Sequence, residues 1–235
     1  MVEKLDILAF GAHPDDVELG CAGTILKAVK NGYKVGVIDL TQGELGTRGD
    51  KDIRLEESKK ASSILGLSIR DNLFFKDGFI GNDDTCKIKI INLIRKYKPN
   101  IVLVNSPIDR HPDHGNASKL VSESCFLSGL SKIEDNYSPW RPKSLYHYIQ
   151  FYNHKPDFVI DISDFIDLKM EVIKSYKSQF YNPNSSEPDT IISSKDFLQN
   201  IYNRSKDLGL VCGVKHGEGF ISDKPICIDD ILSII

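Results

Sequence analysis

Two apolar, β-branched runs in this chain each stop at a cluster of histidine and aspartate. Residues 5–10 read Leu-Asp-Ile-Leu-Ala-Phe and lead to His13-Pro14-Asp15-Asp16, while residues 101–104 read Ile-Val-Leu-Val and lead to His111-Pro112-Asp113-His114. Short apolar runs of this kind read as buried strands. Polar clusters just past them then lie at the carboxyl edge of a sheet. If the two strands are neighbours, the clusters meet, and imidazole nitrogen with carboxylate oxygen is a donor set that suits Zn²⁺ with a position left open for water.

The rest of the first half says what kind of sheet this is. After residues 5–10, Val17, Cys21, Ile25 and Val29 recur every four residues as one helical face that stops at Gly32. Residues 34–40 form a second strand, a Gly-rich loop covers 42–50, and a helix over about 53–65 ends at Gly66. Residues 72–75 read as a short strand. Asp84 is placed to cap a helix through Ile88, Ile91, Ile94 and Tyr97, which Pro99 cuts off. A strand at 101–104 and a helix at 114–130 follow. This βαβα alternation predicts an α/β fold with a mostly parallel, doubly wound sheet and helices on both faces.

The second half is less regular. Strands are expected at 145–152 and 157–162 around the turn His154-Lys155-Pro156. A helix is expected at 165–180, with Phe165, Leu168, Val172, Tyr176 and Phe180 on one face, and another at 197–208. Residues 182–188 read as a surface loop, and 213–235 as short extended pieces between Gly turns. No repeat or long linker divides the chain, so one domain over 1–235 is expected.

Charge and cysteine usage narrow the function classes. A net charge of −3 without a basic block argues against a nucleic-acid surface. No apolar run approaches a membrane span, and the N-terminus lacks the basic and apolar regions of a secretory signal. The five cysteines, Cys21, Cys86, Cys125, Cys212 and Cys227, are odd in number and contain no C-x-x-C. That pattern fits reduced thiols in a cytoplasmic protein.

In an open α/β sheet, ligands bind where the strand order reverses. If the first and fourth strands flank that point, His13, Asp16 and His114 supply two imidazoles and a carboxylate to one metal ion. Asp15 then stands beside it as a general base for water. His111 and Asp113 form a second pair, in which the carboxylate orients the imidazole and stabilises its protonated form for donation to an oxyanion. Alternatives stay open residue by residue. Asp15 or Asp16 could cap the helix at Val17, and His111 to His114 could be a polar loop. A phospho-acceptor site fails, because residues 72–75 are followed by Lys76 and not Asp. His147 reads as structural, His154 as a turn residue, and His216 as a candidate to line the site.

Taken together, Ala9-Phe-Gly-Ala-His-Pro-Asp-Asp16, Glu18-Leu-Gly20 and His111-Pro-Asp-His114 resemble the PIG-L/LmbE-like zinc N-deacetylases, over nearly the whole chain. The resemblance implies a Rossmann-like fold and removal of acetyl groups from N-acetylglucosamine conjugates. It implies one Zn²⁺ per chain on His13, Asp16 and His114, with Asp15 as base and His111 and Asp113 in oxyanion or proton-relay roles. Arg54 and Arg110 are expected to face the substrate, and a homo-oligomer is implied. Asp39-Leu-Thr41, Arg54 with Glu56-Glu57, Asp109-Arg-His-Pro-Asp-His-Gly115, His154-Lys-Pro-Asp-Phe158, Tyr176-Lys-Ser-Gln-Phe180 and Gly217-Glu-Gly-Phe-Ile-Ser222 are similar to the branch acting on N-acetylglucosaminyl-malate in bacillithiol biosynthesis. Some relatives carry a catalytic Tyr where this chain has Asp109, so that role does not transfer. Competing readings are a chito-oligosaccharide deacetylase, a thiol-conjugate amidase and a non-catalytic sugar-binding protein. An intact Asp15 weighs against the last, since binding alone needs no base.

Overall fold

The computed structural model describes residues 3–234; Met1, Val2 and Ile235, the ends of the segments read above for a leader and a tail, lie outside the described residues. Strands β1 (Ile7–Gly11), β2 (Val35–Thr41), β3 (Ile69–Phe75) and β4 (Ile101–Asn105) alternate with helices α1 (Asp16–Lys30), α2 (Lys51–Leu65), α3 (Asp84–Tyr97) and α4 (Pro112–Leu127). Then come β5 (Ser144–Tyr148), β6 (Phe158–Asp161), α5 (Ile166–Ile173), α6 (Lys195–Cys212) and β7 (Gly217–Ser222).

All seven strands form one sheet in the order β3-β2-β1-β4-β5-β7-β6. The first five in that order are parallel, and β7 runs antiparallel to both β5 and β6. The chain leaves β1 toward β2 on one side and returns to β4 on the other. The order therefore reverses between β1 and β4, the two strands that carry the His/Asp clusters.

Alternation along β1 shows why the sheet is covered on both faces. Ile7 and Ala9 enter a core shared with α1, α2, α5 and α6; Leu8 and Phe10 enter a second core shared with α3 and α4. A strand buried on both faces has no polar side to present, which is why its sequence reads as a continuous apolar run.

Several bounds differ from the sequence expectation. Asp83, one residue before the expected Asp84, caps α3 by accepting from the backbone N–H of Cys86. The expected strand at 145–152 stops at Tyr148, so that Gln150 can turn toward the ends of β1 and β4. The expected helix at 165–180 ends at Ile173. Tyr176 and Phe180 remain fully buried, but turns carry them there. Those turns present Ser178 to Glu57, which accepts from its backbone N–H and its hydroxyl at 2.7 Å each.

Helix α1 is broken at Cys21 (φ −146°, ψ 22°). The break frees the N–H groups of Gly23 and Thr24 and the carbonyl of Leu19. Glu218 on β7 accepts from Gly23 N at 2.9 Å, Thr24 N at 2.7 Å and the Thr24 hydroxyl at 2.6 Å. Lys169 on α5 donates to Glu218 at 2.6 Å and to the Leu19 carbonyl at 3.0 Å. A residue without a Cβ is required just before the break, because one on Gly20 would lie 2.1 Å from the ring of Tyr148. Among the described residues no helix is long and apolar enough to cross a membrane.

Candidate active site at the strand-order reversal

Each parallel strand delivers polar groups to the same edge of the sheet. His13, Asp15 and Asp16 follow β1, Arg48 follows β2, Asp77 follows β3, Arg110, His111 and His114 follow β4, and Gln150 follows β5. All of them line one open cleft of about 350 Å³.

Asp16 sits between the two histidines proposed as its co-ligands. Its Oδ2 lies 3.4 Å from His13 Nδ1 and its Oδ1 lies 3.2 Å from His114 Nε2. The carboxylate is held by donors: His13 N at 2.9 Å, Asn105 Nδ2 at 3.1 Å and Gln150 Nε2 at 2.6 Å. Each imidazole turns its other nitrogen to an outer carboxylate. His13 Nε2 is 3.0 Å from Asp77 and 3.5 Å from Asp113. His114 Nδ1 is 3.1 Å from Asp109. His13 Nε2 makes no well-directed hydrogen bond despite these short distances. Taking one ligand atom per residue, His13, His111 and His114 lie within 4.8 Å of one another, as do His13, Asp77 and Asp113.

This donor set fits a divalent cation. Metal-binding histidines generally give their second nitrogen to a carboxylate, which fixes the ring and strengthens the donor. The electrostatics agree. Burial pushes His13 and His114 toward neutrality, yet the surrounding carboxylates overcome it and raise both, His114 to about 9. Asp77 is likewise held down to about 2 by His13, against its burial. A site that draws protons this strongly draws other cations too.

Asp15 is held by an arginine and does not act as a helix cap. It occupies the N-cap position of α1 at φ 114°, a region non-glycine residues seldom adopt, and makes no capping hydrogen bond. Its Oδ2 lies 3.0 Å from Arg54 Nη2, which also donates to the Pro14 carbonyl. Burial raises the Asp15 carboxyl to about 7, with Arg54 pulling it back. Gly43, at φ +67°, makes room for that arginine: a Cβ there would lie 2.2 Å from Arg54 Nη1.

The structure gives His111 and Asp113 a different relation from the expected carboxylate–imidazole pair. His111 Nδ1 accepts from the backbone N–H of Asp113 at 3.2 Å. That leaves Nε2 as the protonated nitrogen of the neutral ring. Burial, with the positive charges of His13 and His114, lowers the His111 pKa. The Asp113 carboxylate instead faces His13 and accepts from Gly78 N at 2.7 Å and Ile80 N at 3.2 Å. The geometry therefore does not provide the expected carboxylate-stabilised imidazolium.

The two arginines expected at the substrate differ. Arg54 is buried against Asp15. Arg110 is exposed, with its guanidinium 4.8 Å from the centre of the Phe151 ring. The remaining histidines are outside the cleft lining: His147 contacts Ser118, Asn105 and Asp223, His154 reaches the Ile108 carbonyl, and His216 pairs with Ser205 and Tyr202. Sequence reasoning missed Asp77, Asn105 and Gln150. For Asp77 a signal existed, an Asp-Gly turn two residues past β3, one step beyond the Lys76 at which that strand end was dismissed.

Residues 8–125 match the family model PIG-L, described as GlcNAc-PI de-N-acetylase. A diacetylchitobiose deacetylase of Thermococcus kodakarensis is 33% identical over 187 residues, covering 74% of this chain and 70% of the relative. A probable N-acetyl-alpha-D-glucosaminyl L-malate deacetylase of Bacillus anthracis is 25% identical over 198 residues, covering 77% and 84%. Among solved structures, a conserved protein of Thermus thermophilus superposes with a TM-score of 0.87 at 34% identity, covering 95% of this chain and 97% of the other.

Proposed function

This chain belongs to the PIG-L family of de-N-acetylases, and we propose that it is a zinc-dependent hydrolase that removes the acetyl group from an N-acetylglucosamine conjugate, N-acetylglucosaminyl-malate foremost. The relatives named as diacetylchitobiose deacetylase and N-acetyl-alpha-D-glucosaminyl L-malate deacetylase support a substrate of the N-acetylglucosamine type. The observation that carries the reading is Asp16 between His13 and His114, with Asp15 and His111 beside them in one cleft.

His13, Asp16 and His114 would hold the ion, and their nitrogen and oxygen donors favour zinc. When bound, the metal supplies Lewis acidity toward the amide carbonyl and eases proton loss from water. The chain's own groups do the rest. Asp15, oriented by Arg54, takes the proton from the attacking water and passes it to the departing amine. His111 donates its Nε2–H to the amide oxygen as that oxygen gains charge, and a neutral donor suffices for this. Asp77, Asp113 and Asp109 keep the two ligand rings oriented. The water oxygen joins the acetyl carbon, the C–N bond breaks, and acetate and the free amine leave.

Arg48 and Arg110 on the cleft wall support a negatively charged aglycone and so the malate conjugate. A chito-oligosaccharide is the second reading. It is favoured by the relative from Thermococcus kodakarensis and by Phe151 and Phe197 in the cleft wall, rings on which a sugar face can pack. The five cysteines are unpaired, which supports a cytoplasmic setting. Metal analysis with amine release from N-acetylglucosaminyl-malate and diacetylchitobiose tests the proposal. Stoichiometric zinc and faster turnover of the malate conjugate are expected. Full activity in metal-stripped protein would overturn the zinc mechanism, and preference for the disaccharide would select the second reading.

A further inference from the structure

The loop between β2 and α2 contains a cation that the chemistry above does not use. Arg48 is only 3% exposed, yet it lines the cleft. Its Nε donates to the Ser178 carbonyl at 2.9 Å, and Gln179 Nε2 donates back to the Arg48 carbonyl at 2.7 Å. The next residue, Gly49, donates its N–H to Glu187 at 2.7 Å. Ser178 is itself fixed by Glu57. Backbone and guanidinium are thus anchored, and the end of the side chain is aimed by its surroundings.

That end is unsatisfied. Arg48 Nη2 is buried without a hydrogen-bond partner. The one carboxylate in ion-pair range among the described residues, Glu187, is 3.8 Å away and faces Nε, too far for a hydrogen bond. Buried guanidinium donors without acceptors are costly and rare. Where such a group borders a cleft, a bound molecule can supply the acceptor. The other two arginines of the cleft are differently disposed: Arg54 is committed to Asp15 and Pro14, and Arg110 lies in the open on Phe151. Gln179, which contacts Arg48, and Thr190 and Ile191 also line the cleft, and none of them takes part in the proposed bond cleavage.

We propose that Arg48 is a specificity-determining residue that binds a carboxylate on the group attached to the sugar. The inference rests on the N-deacetylase reading and adds which cation discriminates among its substrates. With Nε already used, the guanidinium keeps a pair of terminal nitrogens, and a planar carboxylate matches that fork better than a hydroxyl does.

The test compares two N-acetylglucosamine glycosides, one of L-malate and one of methanol, on wild type, Arg48→Met and Arg48→Lys. Arg48→Met is expected to lower the ratio of kcat/KM for the malate glycoside over the methyl glycoside by about 10–100-fold, the size of a lost charge-assisted hydrogen bond. The loss should fall mainly in KM, and Arg48→Lys should recover part of it. Equal losses on both glycosides would overturn the proposal and make Arg48 an anchor of its loop, as would an unchanged ratio. Titration with the two deacetylated glycosides reads the same contact without turnover. If wild type cleaves neither of these nor diacetylchitobiose, the deacetylase reading falls. The Arg48 assignment falls separately if glucosaminyl-malate binds wild type and Arg48→Met alike.

Discussion

Arg54→Gln separates two roles for a buried arginine that the sequence alone assigns to the substrate. Arg54 Nη2 stands 3.0 Å from Asp15 Oδ2, and both residues are only 4% exposed. An arginine this close lowers a carboxyl pKa by about 1–3 units. Asp15 already stands near 7, because burial outweighs that help. The base works only when ionised, so activity falls as pH drops through its pKa. Removing the guanidinium raises that pKa further. The acid limb of kcat/KM should therefore move up by roughly 1–3 pH units, with a severe loss at pH 6 and a far smaller one on the alkaline side. Arg54→Lys keeps the charge and should hold the limb close to that of wild type. Breaking a buried ion pair also costs about 3–5 kcal/mol of stability, so assays belong well below a melting temperature checked by circular dichroism. Profiles on the malate and methyl glycosides complete the experiment. An unmoved acid limb, with a loss confined to the malate glycoside at every pH, would refute the positioning role and return Arg54 to the substrate.

Other outcomes follow from the same geometry. His13→Ala and His114→Ala should lose metal and activity together, and elemental analysis showing full zinc in either variant would remove that residue from the ligand set. Asp15→Asn should keep the metal and lose about 10²–10⁴-fold in turnover; a rate within about threefold of wild type would show that no general base operates there. Glu218→Gln strands the buried Lys169 charge and should cost about 3–5 kcal/mol. In a chain of this length that is a fall in Tm of roughly 6–20 °C, and an unchanged Tm would mean the broken helix holds itself. A thiol reagent should modify the exposed Cys212 and Cys227 while Cys21 and Cys125, buried and with their thiols pushed up by burial, stay protected. Activity should survive, and its loss with the fold intact would implicate a cysteine.

What the sequence made legible was set by locality. The ends of β1 and β4 stood out because strands buried on both faces are written as apolar runs, and their polar successors are conspicuous. The adjacency of those strands was a condition the sequence left open, and the strand order meets it. Contacts across the fold left no such trace. Asp77 comes to His13 only through the packing of β3 beside β2, and Gln150 only because β5 ends early. His111 and Asp113 looked like partners because they are close in sequence. At a helix N-terminus, however, residues two apart do not face each other, and their side chains diverge. The helix expected through Phe180 had helical apolar spacing, and Val172, Tyr176 and Phe180 are buried as expected, but Leu168 on the same face is exposed. Periodicity could not register that Ser178 was needed elsewhere.

The broken helix has a consequence for how the molecule is made. The matched family segment, residues 8–125, contains every residue proposed to hold the ion or move a proton. The donors and acceptors that complete it come much later: Gln150 on Asp16, Lys169 on Leu19, and Glu218, which is 195 residues from Gly23. Contacts this distant in sequence form late and slow a fold's assembly. On a ribosome, residues 8–125 would all emerge well before Glu218, while the helix bearing Asp16 still lacked its far clasp. A fragment ending at residue 125 would keep the motif and lack these contacts, and the synthesis of β7 would decide when α1 is held in its final shape.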